Sequence, residues 1–147
     1  MGEKPVVFVV DDDLDTLALW GRTLRGTYEV VTFEDPNAAL AAAVASTPAL
    51  IITDHRMPNL TGVQLVRKLE EAGVECPTIM VTGFPELVDV VEARDKVFNI
   101  VAKPVRPEDL LACAKIAITS FRLKAATARL GRLSPDKPPD ASGGKDK

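Results

Sequence analysis

The chain has 147 residues, of which 46% are hydrophobic, 27% charged and 5% aromatic. That balance describes one soluble globular domain with its own core, and no apolar run approaches the roughly 18 residues of a membrane span. Net charge is −7 over residues 1–120 and +4 over 121–147, together the −3 of the whole chain, and an acidic body with a basic tail argues against a nucleic-acid module, whose basic residues form a coherent face.

PVVFVV (5–10) opens the chain as a short β-branched run of the kind buried on both faces of a parallel sheet. Nothing before it has the charged, apolar and cleavable parts of a signal peptide, so a cytoplasmic location is expected. A helical pattern covers 14–24, with Leu14, Leu17 and Leu24 on one side. YEVVTF (28–33) reads as the second strand. Asp35 and Pro36 then supply an N-cap and a first-turn proline for an alanine-rich helix to about residue 46. ALIIT (49–53) is the third strand. A helix over 61–72 follows, with Val63, Val66 and Leu69 inward and Gly73 ending it. PTIMVT (77–82) is the next strand, 85–95 a helix, and VFNIVA (97–102) the fifth strand. The last helix begins at Pro107 and runs to about residue 132, and the Pro-, Gly- and Lys-rich remainder, 133–147, reads as disordered. Five strands alternating with helices predict a parallel sheet covered on both faces. The domain is expected over 4–120, with 121–132 an extension of the last helix.

Polar residues gather where these strands end. Asp11, Asp12 and Asp13 follow the first strand, Asp54 ends the third, Thr82 the fourth, and Lys103 the fifth. In an open α/β sheet ligands bind beyond the carboxyl ends of the strands, so these groups converge on one rim. Each alone has an ordinary explanation as a cap, turn or loop charge; their coincidence does not. Carboxylates about 4 Å apart repel by roughly several kcal/mol per pair at an effective dielectric near 20, and need a cation. All-oxygen ligands select a hard one such as Mg2+, which readily shares itself with phosphate. Lys103 and the Thr82 hydroxyl suit phosphoryl oxygens, and Asp54 suits a nucleophile that becomes an acyl phosphate. The two cysteines, Cys76 and Cys113, lack metal or redox spacing and read as free thiols. His55 is the only histidine, which excludes a multi-histidine metal site.

VVDDD, IITDHRMPNLTG, PTIMVTG and VAKP resemble the four characteristic segments of the receiver domain of bacterial two-component response regulators. The resemblance covers about residues 5–120. It implies a doubly wound, flavodoxin-like fold with five parallel strands in the order 2-1-3-4-5 and helices on both faces, an order known for this family. It also implies that Asp54 accepts phosphate, that Asp11, Asp12, Asp54 and the backbone carbonyl of Arg56 hold Mg2+, and that Thr82 and Lys103 bind the phosphoryl group. The Lys103–Pro104 bond is expected to be cis. Relatives often carry Tyr or Phe where this chain has Ile100, and Phe where it has Val105, so the switching motion of relatives does not transfer whole.

The implied protein is a stand-alone receiver, not an enzyme beyond its own phosphoryl transfer and dephosphorylation. A sensor histidine kinase or histidine phosphotransfer protein would phosphorylate it, and it would signal to a downstream protein, with no direct role for nucleic acid or membrane. Two alternatives are a haloacid-dehalogenase-like phosphatase, because Asp13-Leu14-Asp15-Thr16-Leu17 partly matches that family's D-x-D-x-T pattern, and a receiver scaffold that works without phosphate. Arg56 and Phe84 flank the expected phosphoryl position, either shielding it or facing solvent. His55 should alternate away from Asp54. Along the last helix, Leu111, Ala114, Ile118, Phe121, Ala125 and Ala128 recur by threes and fours: either Leu111 to Ile118 pack on the domain's own sheet and the rest frays, or the stripe is a weak homodimer seam, a docked partner's site or a linker.

Overall fold

A computed structural model describes residues 3–85 and 97–133. The helix expected over 85–95 falls almost wholly within 86–96, and the tail expected from 133 almost wholly within 134–147, both outside the described residues. Five strands, β1 (Val6–Val10), β2 (Glu29–Phe33), β3 (Leu50–Asp54), β4 (Thr78–Thr82) and β5 (Asn99–Ala102), form one sheet in the order β2-β1-β3-β4-β5. Every neighbouring pair is parallel, with Val9 aligned to Thr32 and Ile52, and Met80 to Ile100. The expected order is therefore the observed one.

Position in the sheet explains composition. In β3 and β4 every residue is buried, because helices cover both faces, whereas the edge strands β2 and β5 are buried only in part. On one face Val7, Val9, Leu50, Ile52, Ile79 and Val81 meet α1 (Leu14–Arg25) and α4 (Pro107–Leu133). On the other, Phe8, Val10 and Ile51 meet α2 (Pro36–Ala45) and α3 (Gly62–Glu71) through Ala39, Ala43, Leu65 and Leu69.

Local chemistry sets the helix ends. Asp13 caps α1, accepting from the Asp15 amide at 3.2 Å and the Thr16 hydroxyl at 2.8 Å. Asp35 caps α2 with Pro36 in its first turn, as read from the sequence. Thr61 and Gln64 close a reciprocal capping box on α3, and Gly73 leaves that helix at φ +80°, where a Cβ would be strained. One expectation needs correction. Leu14 is 60% exposed; it opens α1 at the rim, and the inward stripe is Leu17, Trp20, Gly21 and Leu24. In α4, which has 27 residues, the buried positions are Leu110, Ala114, Ala117 and Ile118. Of the expected stripe, Ala114 and Ile118 pack in the domain's own core, as one reading of the first half has it, and Ala125 and Ala128 face solvent. The uncovered apolar side chains are instead Ile116 (56% exposed), Leu123 (63%) and Leu130 (68%), one every seven residues.

Candidate functional site

The parallel sheet brings five strand ends to one rim, and the expected residues stand there together. Asp11 follows β1, Asp54 is the last residue of β3, Thr82 the last of β4, and Lys103 follows β5. Asp11, Asp54 and Thr82 are buried, whereas Asp12 is exposed. Buried carboxylates must find partners, and each here has a donor on either oxygen. Oδ1 of Asp11 accepts the Asp13 amide at 2.9 Å, and Oδ1 of Asp54 accepts the His55 amide at 2.7 Å. The Lys103 ammonium bridges the remaining oxygens, 3.1 Å from Oδ2 of Asp11 and 3.3 Å from Oδ2 of Asp54. The Thr82 hydroxyl accepts the Phe84 amide at 3.1 Å, which leaves its own proton free to donate toward the rim.

Electrostatics follow from this packing. Burial pushes the Asp11 carboxyl above its ordinary value, and the Asp54 charge adds to that, against the pull of the Asp13 amide and Lys103. Burial opposes charge on Lys103 as well, but the carboxylates of Asp11 and Asp54 outweigh it and hold the ammonium above the usual lysine value. Burial lowers the His55 imidazole.

Carboxylate oxygens of Asp11, Asp12 and Asp54 lie within 4.8 Å of one another. One ammonium cannot neutralise three carboxylates, and the donor set is all oxygen. The residues present therefore fit a small hard cation such as Mg2+.

The Lys103–Pro104 bond is cis, as expected. Arg56 and Phe84 both face solvent, and they also pair, the guanidinium carbon lying 5.1 Å from the ring centroid. His55 is half-buried, and its Nδ1 is buried without a hydrogen-bond partner among the described residues. Ile100 packs with Val63 and Met80, while Phe98 is largely exposed. Asp13, the nucleophile of the phosphatase alternative, is engaged in capping α1.

Two residues that sequence reasoning passed over belong to the site's frame. Gly62 donates its amide to the His55 carbonyl at 2.8 Å, and a Cβ there would sit 2.7 Å from the Asp54 carbonyl oxygen. Only glycine lets α3 start this close to the end of β3. Trp20 lies under Lys103, its ring centroid 5.5 Å from the ammonium nitrogen.

A doubly wound sheet with buried carboxylates, a hydroxyl and a lysine at its carboxyl rim defines a phosphoryl-accepting signalling domain. Residues 7–115 match the response regulator receiver domain, and the chain belongs to that family. The C4-dicarboxylate transport transcriptional regulatory protein DctD of Rhizobium meliloti is 32% identical over 136 residues, which is 91% of this chain and 30% of that protein. The chain thus spans less than a third of this relative. A solved structure described as adenylate cyclase from Rhodopirellula baltica aligns at TM-score 0.80 and 28% identity, over 89% of this chain and 99% of that one. A CheY-like receiver from Methanospirillum hungatei aligns at TM-score 0.77 and 26% identity, over 84% and 99%. Among the described residues no helix is long and apolar enough to cross a membrane.

Proposed function

We propose that Asp54 is the phosphoryl acceptor of this receiver, with Thr82 and Lys103 as its phosphoryl-binding groups. The observation that carries this reading is the Lys103 ammonium bridging two buried carboxylates, Asp11 and Asp54, at 3.1 and 3.3 Å. The His55 amide holds one Asp54 oxygen and so fixes the plane of the carboxylate. Phosphorylation by a phosphohistidine breaks the donor's P–N bond as a P–O bond forms to Asp54. Lys103 then meets an incoming phosphoryl oxygen as a positive charge, and the Thr82 hydroxyl meets another as a donor.

Asp11, Asp12, Asp54 and the Arg56 backbone carbonyl would hold Mg2+. Bound there, it supplies positive charge that offsets the carboxylates and the phosphoryl oxygens. Arg56 and Phe84, two residues beyond Asp54 and Thr82, pair with each other on the solvent-facing surface.

The donor is a sensor histidine kinase or a histidine phosphotransfer protein, and the output is binding to a downstream protein in the cytoplasm, without further enzymatic activity. The receiver body spans 4–120, and 121–132 extend its last helix. Self-association, where it occurs, is weak and uses Ile116, Leu123 and Leu130 rather than the alanine-containing stripe.

The test is incubation with acetyl phosphate and Mg2+, followed by intact mass and peptide mapping. One phosphoryl group should appear on Asp54 only when Mg2+ is present. Label that maps to Asp13, or that is indifferent to the metal, would sink the reading.

A further inference from the structure

We propose that Trp20 is a positioning residue for Lys103: its ring is the platform that keeps the ammonium turned toward Asp11 and Asp54. This rests on the reading of Asp54 as acceptor and of Lys103 as its phosphoryl-binding partner.

A lysine is a poor choice for a fixed charge. Its four-carbon stem has many rotamers to give up on being held in one place, and its ammonium is strongly hydrated. Here the side chain also has somewhere else to go. A cavity of about 370 Å3, lined by Thr16, Leu19, Trp20, Lys103, Pro104 and Val105, opens beside it, and the Lys103 side chain is 27% exposed. Swinging into that space would restore hydration and leave the two carboxylates uncompensated.

Trp20 opposes that swing. Carboxylate oxygens hold the ammonium at 3.1 and 3.3 Å, and the indole ring approaches it at 5.5 Å from the centroid. The negative face of an aromatic ring attracts a cation at this range. The platform is rigid, because Trp20 is only 4% exposed and belongs to the core cluster that includes Leu17, Leu24 and Ala114. Filling the core beneath α1 asks only for a large apolar side chain, whereas lying beside an ammonium asks for a π face. Leucine would satisfy the first demand and fail the second.

The experiment uses the full chain with acetyl phosphate and Mg2+, following phosphorylation rate by intact mass in Trp20→Leu, Trp20→Phe, Lys103→Met and the Trp20→Leu/Lys103→Met double variant. Trp20→Leu should slow phosphorylation about fivefold, the size of a partly desolvated cation–π contact. Trp20→Phe should recover most of that loss. In the Lys103→Met background, Trp20→Leu should change nothing further, since the residue it acts through is gone. Equal losses in the Leu and Phe variants, or the same Trp20→Leu effect with and without Lys103, would assign Trp20 to packing alone and overturn the proposal.

A second measurement does not depend on the Trp20 variants folding. Trp20 is the one tryptophan in the chain, so its emission can be compared directly between wild type and Lys103→Met. Removing a charge beside the ring should alter intensity or wavelength; superimposable spectra overturn the contact. A wild-type chain that takes up no phosphoryl group overturns the acceptor reading and the Trp20 role together. One that is phosphorylated while the double-variant cycle is additive overturns Trp20 alone.

Discussion

The carboxyl rim of the sheet and the outer half of α4 differ in what constrains each residue. At the rim Asp11 and Thr82 are almost wholly buried, and both carboxylate oxygens of Asp11 and of Asp54 meet a named donor within hydrogen-bond distance. Along α4 beyond residue 120, Leu123 and Leu130 lie mostly in water and the helix is held chiefly by its own backbone. The rim can exchange almost no residue for another, because chemistry specifies charge, hydroxyl and reach at once. The outer helix can exchange many, because any good helix former satisfies it. Sequence periodicity is a reliable guide to the first kind of region and an ambiguous one to the second.

The largest test of this contrast is at the rim. Asp54→Asn should abolish phosphoryl uptake completely, with the fold retained, as read by intact mass and circular dichroism. Uptake that survives at another residue would mean that the rim is less constrained than its geometry requires.

Within α4 itself the contrast predicts a steep gradient. Leu110, almost fully buried against the sheet, should lose about 2–5 kcal/mol on change to Ala, measured by urea unfolding. A loss at Leu110 no greater than at Leu123 would erase the distinction between the two halves.

Gly62→Ala probes the rim without touching its chemistry. The added Cβ would meet the Asp54 carbonyl oxygen at 2.7 Å, backbone that cannot swing aside, so stability should fall by about 1–3 kcal/mol. Phosphorylation rate should fall too, because the end of β3 carrying Asp54 must shift.

Asp11 sets the pH and metal response. Its carboxyl is raised, chiefly by burial, so the folded state binds that proton more tightly than the unfolded chain does. Its stabilising contribution is therefore present below the ordinary carboxylate value and lost as pH rises through the raised one. Without metal, Asp11→Asn should gain on wild type in melting temperature across that window. At neutral pH Mg2+ should stabilise wild type, by about 2.7 kcal/mol at a hundred times its Kd, and should stabilise the Asn variant less. A metal response equal in both proteins would remove Asp11 from the binding set.

The smallest effect belongs to the outer helix. Leu123→Ala and Leu130→Ala should each change monomer stability by less than about 0.5 kcal/mol. Sedimentation at high concentration should nevertheless show any self-association of the wild type weakened in both.

The elements were legible in the sequence because β-branched runs and capping residues act locally: Asp35-Pro36, Thr61 with Gln64, and Gly73 each do what their chemistry dictates within a turn. The rim was legible because strand ends in a parallel sheet share one edge, so Asp11, Asp54, Thr82 and Lys103 had to meet once the alternation was read. What the sequence alone could not decide was which side chains share a contact across distant segments. Trp20 and Lys103 are 83 positions apart, and only the packing of α1 beside the end of β5 sets the ring near the ammonium. The need for glycine at position 62 also exists only because the end of β3 lies against it. The face of α4 turned to solvent is likewise a tertiary decision: Leu, Ile and Ala occur all round that helix, and only the position of the sheet leaves Ile116, Leu123 and Leu130 outside. Local rules act over a few residues and can be read in order, whereas a contact between segments exists only after the chain has closed on itself.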